Sequence, residues 1–157
     1  MIDKELLKNA CAQVGVEVDA VAADKLDTYA ALLVEWNQKM NLTAITDPTD
    51  MVIKHFADSL AAAPLLPDGA FSLIDVGTGA GFPGVPLAIL RPDIDLTLLD
   101  SLNKRLVFLE TVCRETGVTA GRVHARAEEF GKKPEFAAQY DVATARAVAA
   151  MEKLAGY

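Results

Sequence analysis

The sequence predicts an α/β fold, a doubly wound parallel sheet with covering helices, preceded by a helical subdomain. Three observations predict it. An apolar strand runs straight into a glycine-rich turn and a helix in LIDVGTGAGFPGVPLA, residues 73–88. Strand and helix patterns alternate from residue 72 onward, the order of a parallel sheet whose crossovers are helices. Before residue 66 the apolar residues recur at helical spacing only.

The elements follow in order. Leu6, Leu7, Ala10 and Val14 form an apolar stripe over 3–14, and Gly15 stops it. Asp19 is placed to cap a second helix over about 20–40, with Leu26, Tyr29, Ala30, Leu33, Trp36, Asn37 and Met40 on one face. Asn41-Leu42-Thr43 ends that helix. Thr49 or Asp50 then caps a third helix over roughly 51–62, closed by Pro64 and Pro67. Strand one covers 72–76. After the glycine turn, Pro83 sits where a helix's first turn tolerates a missing N–H. That helix runs to about Leu90 and stops at Arg91-Pro92. Strand two covers 95–99 and reaches Asp100. Leu102, Leu106, Leu109 and Cys113 mark the next helix, ended by Gly117. Strand three covers 122–125, a weak helix starts near Ala127, strand four covers 141–145, and 147–154 open a further helix. The boundary falls between a helical subdomain, 1–66, and a sheet domain, 67–157. Four strands make only the first part of such a sheet, so an incomplete sheet and a fragment of a longer chain are expected.

Composition narrows the classes. Hydrophobic residues are 52% of 157, which excludes a disordered tail. No apolar run is long enough to cross a bilayer, and Asp3 and Glu5 stand where a secretion signal is basic. A cytoplasmic protein without a membrane partner is expected. Cys11 and Cys113 read as buried thiols rather than a disulfide. With His55 and His124 they show no metal-ligand spacing, so no metal is expected. The net charge is -7, but residues 1–71 carry 5 basic and 11 acidic groups and residues 72–157 carry 10 and 11. A local basic surface in the second half therefore stays open, because nucleic-acid binding follows patches rather than totals.

The glycine turn carries the chemistry. D-x-G-x-G-x-G fits Asp75, Gly77, Gly79 and Gly81; the dinucleotide pattern G-x-G-x-x-G fits Gly79, Gly81 and Gly84. A pyrophosphate needs N–H groups aimed at it, and an acid just upstream opposes that. S-adenosylmethionine has no phosphate; its ammonium suits Asp75, and its ribose hydroxyls suit Asp100, about 20 residues after the turn at the next strand end. The bland alternative makes Asp100 a helix cap ahead of Leu102. No Lys-Ser or Lys-Thr follows the glycines, and neither Ser59 nor Ser101 has nucleophile-elbow surroundings. Glu128 and Glu129 follow strand three, as adenine-side groups or as solvated helix-start acids. Arg146 follows strand four, to meet ligand or RNA phosphate, or to pair with Asp75 or Asp141. An NAD-dependent oxidoreductase and a non-catalytic RNA-binding or ribosome-assembly module are the competing readings.

Longer stretches then carry a resemblance: Trp36-Asn37, Asn41-Leu42-Thr43, His55-Phe56-Ala57-Asp58-Ser59, the run from Asp75 to Gly84, Arg91-Pro92, Leu98 to Arg105, Glu128-Glu129-Phe130 and Arg146-Ala147. In these the sequence resembles the bacterial RsmG family, once called glucose-inhibited division protein B. The resemblance implies a class I S-adenosylmethionine-dependent methyltransferase, of Rossmann-like fold. It implies methyl transfer to N7 of a guanosine, position 527, in 16S ribosomal RNA. The partner would be 16S ribosomal RNA or the small ribosomal subunit, and no DNA. Carried over by position, the cofactor contacts are Gly77, Phe82, Ala127, Glu128 and Arg146, beside Gly79, Gly81 and Asp100. The resemblance also places His55 and Asn41 beside the cleft; alternatively Asn41 caps the long helix and His55 is a satisfied histidine between subdomains. Phe82 is a candidate wall for the target base, or a core residue. Lys104, Arg105, Arg122, Arg126, Lys132 and Lys133 are candidates for RNA backbone charge. Guanine N7 bears a lone pair and no proton, so no general base is expected and no catalytic residue is assigned.

Overall fold

The computed structural model describes residues 1–132, 138–145 and 150–153. Helices α1 (Lys4–Gln13) and α2 (Ala20–Asn37) both start on aspartates: Asp3 accepts from the N–H of Leu6 and Asp19 from that of Ala22. Each cap satisfies a backbone N–H that has no partner inside its helix. Helix α3 (Pro48–Met51) is capped by Asp47, which accepts from the N–H of Asp50, and neither Thr49 nor Asp50 takes that role. Asp47-Pro48 held the signal, because proline at the first helical position gives up no hydrogen bond. The helix widens into a π-helical turn over Val52–Ala57 and closes as α4 (Asp58–Leu60).

The sheet order is β3-β2-β1-β4-β5. Strands β1 (Phe71–Val76), β2 (Ile94–Asp100), β3 (Ala120–His124) and β4 (Val142–Ala145) run parallel. They are joined through α5 (Gly84–Leu90), α6 (Asn103–Thr116) and α7 (Ala127–Lys132). Strand β1 is central, which explains its apolar run: both its faces are covered. The expected helix over 147–154 is corrected where the chain is described, since Ala150–Lys153 forms β5, antiparallel to β4 with Ala145 opposite Ala150. Ala, Met, Glu and Lys are good helix formers. The outer edge of β4, however, offers a row of backbone donors and acceptors, and pairing with them outweighs local propensity.

The apolar face of the N-terminal helices and one face of the sheet share a hydrophobic cluster. Leu7, Leu26, Tyr29 and Leu33 belong to it together with Leu73, Leu96, Leu98, Phe108 and Leu109. Helix α2 packs on both α5 and α6, and α4 packs on α5. On the other face, Ile74 and Leu99 are covered by Val123, Phe130 and Tyr140. Trp36 meets Phe108 at 5.6 Å between ring centroids, tying α2 to α6. Phe108 is fully buried, so Phe108→Ala is expected to cost about 3–5 kcal/mol, read as a shift of the urea midpoint.

Arg91 fastens the segment that leads into β1. Its guanidinium donates to the carbonyls of Pro67 at 2.9 Å and Gly69 at 2.8 Å, pairs with Asp93 at 3.1 Å, and lies 5.3 Å from the centre of the Phe71 ring. Cys11 and Cys113 are free and buried, and burial pushes both thiols up from 9.0 to about 11. The folded chain therefore favours the protonated thiols. That contribution is complete below about pH 9 and fades as the pH climbs toward about 11. Both thiols are expected to stay silent to an aromatic disulfide reagent at pH 8 and to react fully once denaturant unfolds the chain. Among the described residues no helix is long and apolar enough to cross a membrane.

Candidate functional site

The carboxyl ends of β1, β2 and β3 meet at the glycine turn, the crevice where open α/β sheets receive ligands. Asp75 sits near the end of β1, opposite Leu98 and Thr144. The expectation that it attracts an ammonium is corrected: its side chain is fully buried and faces the protein. Its Oδ2 accepts from the Thr78 hydroxyl at 2.6 Å and the Gly84 N–H at 3.0 Å, and its Oδ1 accepts from the Thr144 hydroxyl at 2.9 Å. An ionised carboxylate gains most from such charge-assisted bonds when buried. Asp75 therefore ties together β1, β4, the turn and the first residue of α5. Gly84 is glycine for the same reason, because a Cβ there would lie 2.8 Å from the Asp75 carboxylate.

The glycines divide into two kinds. A Cβ on Gly77 or Gly79 would meet no atom within 4 Å. Their Cα atoms face open space at the sheet edge, and φ values of 65° and 57° keep side chains out. Gly81 is the opposite: a Cβ on it would lie 2.7 Å from Leu109 and would overlap the Tyr29 hydroxyl. Gly77 and Gly79 thus border a groove, while Gly81, expected among the cofactor contacts, faces packed protein on that side.

Four N–H groups over 78–84 are engaged within the protein. Thr78 N–H donates to Leu99 O at 3.0 Å and Gly81 N–H to Thr78 O at 2.9 Å. Gly79 N–H donates to Asp100 Oδ2 at 2.8 Å, and Gly84 N–H goes to Asp75. A pyrophosphate cradle requires such groups to point at the ligand. This turn holds them inside the protein, which counts against the dinucleotide reading of Gly79, Gly81 and Gly84.

Asp100 closes β2 and is 1% exposed. Besides Gly79, it accepts from Leu102 N–H at 2.9 Å and faces Arg105 at 3.4 Å. The cap weighed as its alternative is not formed, because α6 follows Leu102 without a side-chain cap; Asp100 instead closes the turn leading into that helix and braces the glycine turn. A carboxylate has about four acceptor positions, and three of those of Asp100 are met by these donors. Ala125 N–H reaches Asp100 O at 3.0 Å, bringing the end of β3 beside β2. Ala127 and Glu128 follow at the start of α7, both exposed. Arg146 lies outside the described residues.

Phe82 does not line the groove. Its side chain is 1% exposed and stacks with His55 at 4.3 Å and 6° and with Tyr29 at 5.3 Å and 12°. The core role weighed for it holds, and its side chain is no wall for a base. His55 is likewise buried, with Nε2 2.8 Å from the Thr43 hydroxyl. Asn41 is exposed and does not cap α2. The C-cap is Gln38, and Asn37 Oδ1 instead holds the following loop, accepting from the N–H groups of Leu42 at 2.8 Å and Thr43 at 3.0 Å. Among the basic candidates, Arg105 pairs with Asp100 and Arg122 lies 3.9 Å from Glu110. Lys104 and Arg126 are exposed; the side chain of Lys132 and all of Lys133 lie outside what is described.

Sequence reasoning missed Thr78, Thr144 and Tyr29, whose hydroxyl donates to the carbonyl of Ala80. A threonine inside a buried strand was the available signal for Thr144, since a buried hydroxyl needs a partner.

Comparison with known proteins fits this geometry. Proteins named ribosomal RNA small subunit methyltransferase G are similar along the chain. That of Alkaliphilus metalliredigens is 48% identical, covering 100% of this chain and 66% of its own length. Those of Alkaliphilus oremlandii and Acetivibrio thermocellus are 49% and 46% identical, each covering 98% of this chain and 65% and 64% of their own. The chain thus spans just under two thirds of the length of the curated relatives it matches. The family model described as GidB, rRNA small subunit methyltransferase G, matches residues 22–157, from within α2 through the glycine turn. The glycine turn, the identities and this match lead to one conclusion: the chain belongs to the GidB family.

Proposed function

We propose that this chain provides the cofactor site of an enzyme that methylates 16S ribosomal RNA at N7 of guanosine 527, using S-adenosylmethionine, in the cytoplasm. The observation that carries the reading is the open edge at Gly77 and Gly79 beside the Asp100 carboxylate, with the N–H groups of Gly79, Gly81 and Gly84 bonded within the protein. Such an edge suits a ligand with hydroxyls and no phosphate. When bound, S-adenosylmethionine supplies an activated methyl group on its sulfonium. The glycine pair leaves room for it, Asp100 takes a ribose hydroxyl, and Ala127 and Glu128 border the adenine side. Arg146 is assigned by sequence position alone. Guanine N7 has no proton to lose, so these residues need only hold, orient and exclude water. Residues 1–66 serve as the cover of one sheet face, and 67–157 as the cofactor-binding domain.

Calorimetric titration tests this. The chain is expected to bind S-adenosylmethionine or S-adenosylhomocysteine and to ignore NAD; preference for NAD would remove the reading. Asp100→Ala is expected to weaken binding by about 1–3 kcal/mol. Transfer of labelled methyl to small ribosomal subunits lacking the modification then tests the substrate. RNA binding without transfer by the full-length protein would favour the assembly-module reading instead.

A further inference from the structure

We propose that Thr43 and His55 are positioning residues for the glycine turn, acting on it through the ring of Phe82. The inference rests on the cofactor reading above. Phe82 lies between Gly81 and Pro83, on the buried side of the turn whose open side is Gly77 and Gly79. Three rings from the helical segment meet it: His55 and Tyr29, both nearly parallel to it, and Phe56, tilted. Tyr29 also holds the Ala80 carbonyl. The turn is therefore gripped from below by side chains that never reach its groove side.

The His55 ring is itself oriented. It lies on the π-helical turn Val52–Ala57, whose wide winding puts His55 and Phe56 side by side in the core. Such turns recur at functional sites. The Thr43 hydroxyl meets His55 Nε2 at 2.8 Å and accepts from Ile45 N–H at 3.0 Å. Asn37 fixes the Thr43 backbone through its N–H. A phenylalanine would keep an aromatic face against Phe82 without the cost of burying a polar ring. What the imidazole adds is a directed bond that sets the plane of the stack. That plane sets where Phe82 stands, and hence the pose of the turn. By linkage, whatever shifts the 38–47 loop shifts cofactor affinity, and the reverse.

The test is titration of S-adenosylhomocysteine into the chain, with dissociation constant and stoichiometry read separately. Thr43→Val and His55→Phe are each expected to weaken binding about fivefold, the size of one lost hydrogen bond, with stoichiometry near one. Thr43→Ser is expected to restore affinity, and the double variant Thr43→Val/His55→Phe to lose no more than either single one. A purely structural role predicts a lower melting temperature and fewer binding-competent molecules at unchanged dissociation constant. That result, or additive losses in the double variant, overturns the proposal. If the unsubstituted chain binds no S-adenosylhomocysteine, the cofactor reading fails first and the inference falls with it.

Discussion

Asp75→Ala is expected to cost about 3–5 kcal/mol of folding stability, against a total of about 5–15 kcal/mol for a domain of this kind. The removed carboxylate accepts from the Thr78 hydroxyl, the Gly84 N–H and the Thr144 hydroxyl, and all three bonds are buried. Each orphaned donor loses its partner without gaining water, which costs about 1–3 kcal/mol. The hydroxyls can turn elsewhere; the Gly84 N–H cannot, because it is fixed at the start of α5. Asp75→Asn keeps the shape and one acceptor, so a smaller loss of about 1–3 kcal/mol is expected. Urea unfolding at neutral pH measures both. A midpoint for Asp75→Ala close to that of the unsubstituted chain would show that Asp75 does not hold the turn, and would reopen its role as a ligand for an ammonium.

The second large effect separates two glycines only two residues apart. Gly81→Ala is expected to destabilise by about 2–4 kcal/mol, because a methyl there collides with Leu109 and Tyr29 at a φ of 105°. Gly79→Ala meets nothing and bears only the left-handed backbone cost of about 1–2 kcal/mol. Its methyl instead projects into the groove, so affinity for S-adenosylhomocysteine is expected to fall tenfold or more in a chain that still folds. Thermal melting and calorimetry on the pair make the comparison. If Gly79→Ala binds as tightly as the unsubstituted chain, the groove is not where the ligand sits.

Much of this was legible in the residues. The strands of the parallel sheet could be read because β1 and β2 are rich in Leu and Ile with an acid at or next to their ends, and the helices because Asp19, Gly15 and Gly117 punctuate them. The location of the site was legible too, since glycines after a central strand have few other uses. The direction of a side chain was not. An acid beside glycines looks the same whether it faces a ligand or the turn's own backbone, and only Thr78 and Thr144 tell which. Phe82 sits between a glycine and a proline, as a loop residue would. Its burial depends on Tyr29 and His55, which come from distant helices. The π-helical turn was hidden because its winding departs from the 3.6-residue period on which pattern reading depends. Helix-forming residues at Ala150–Lys153 misled for a different reason, as a neighbouring strand edge decided their state.

The hold of Arg91 on Pro67, Gly69 and Asp93 has a mechanical consequence. The lead-in to the first strand, from residue 67, is pinned to the sheet and not slack. Any swing of the helices away from the sheet would therefore have to come from before residue 67 and peel apart their common oily interior. Opening at the crevice is therefore expected to come from loops at its rim, with both halves travelling as one body.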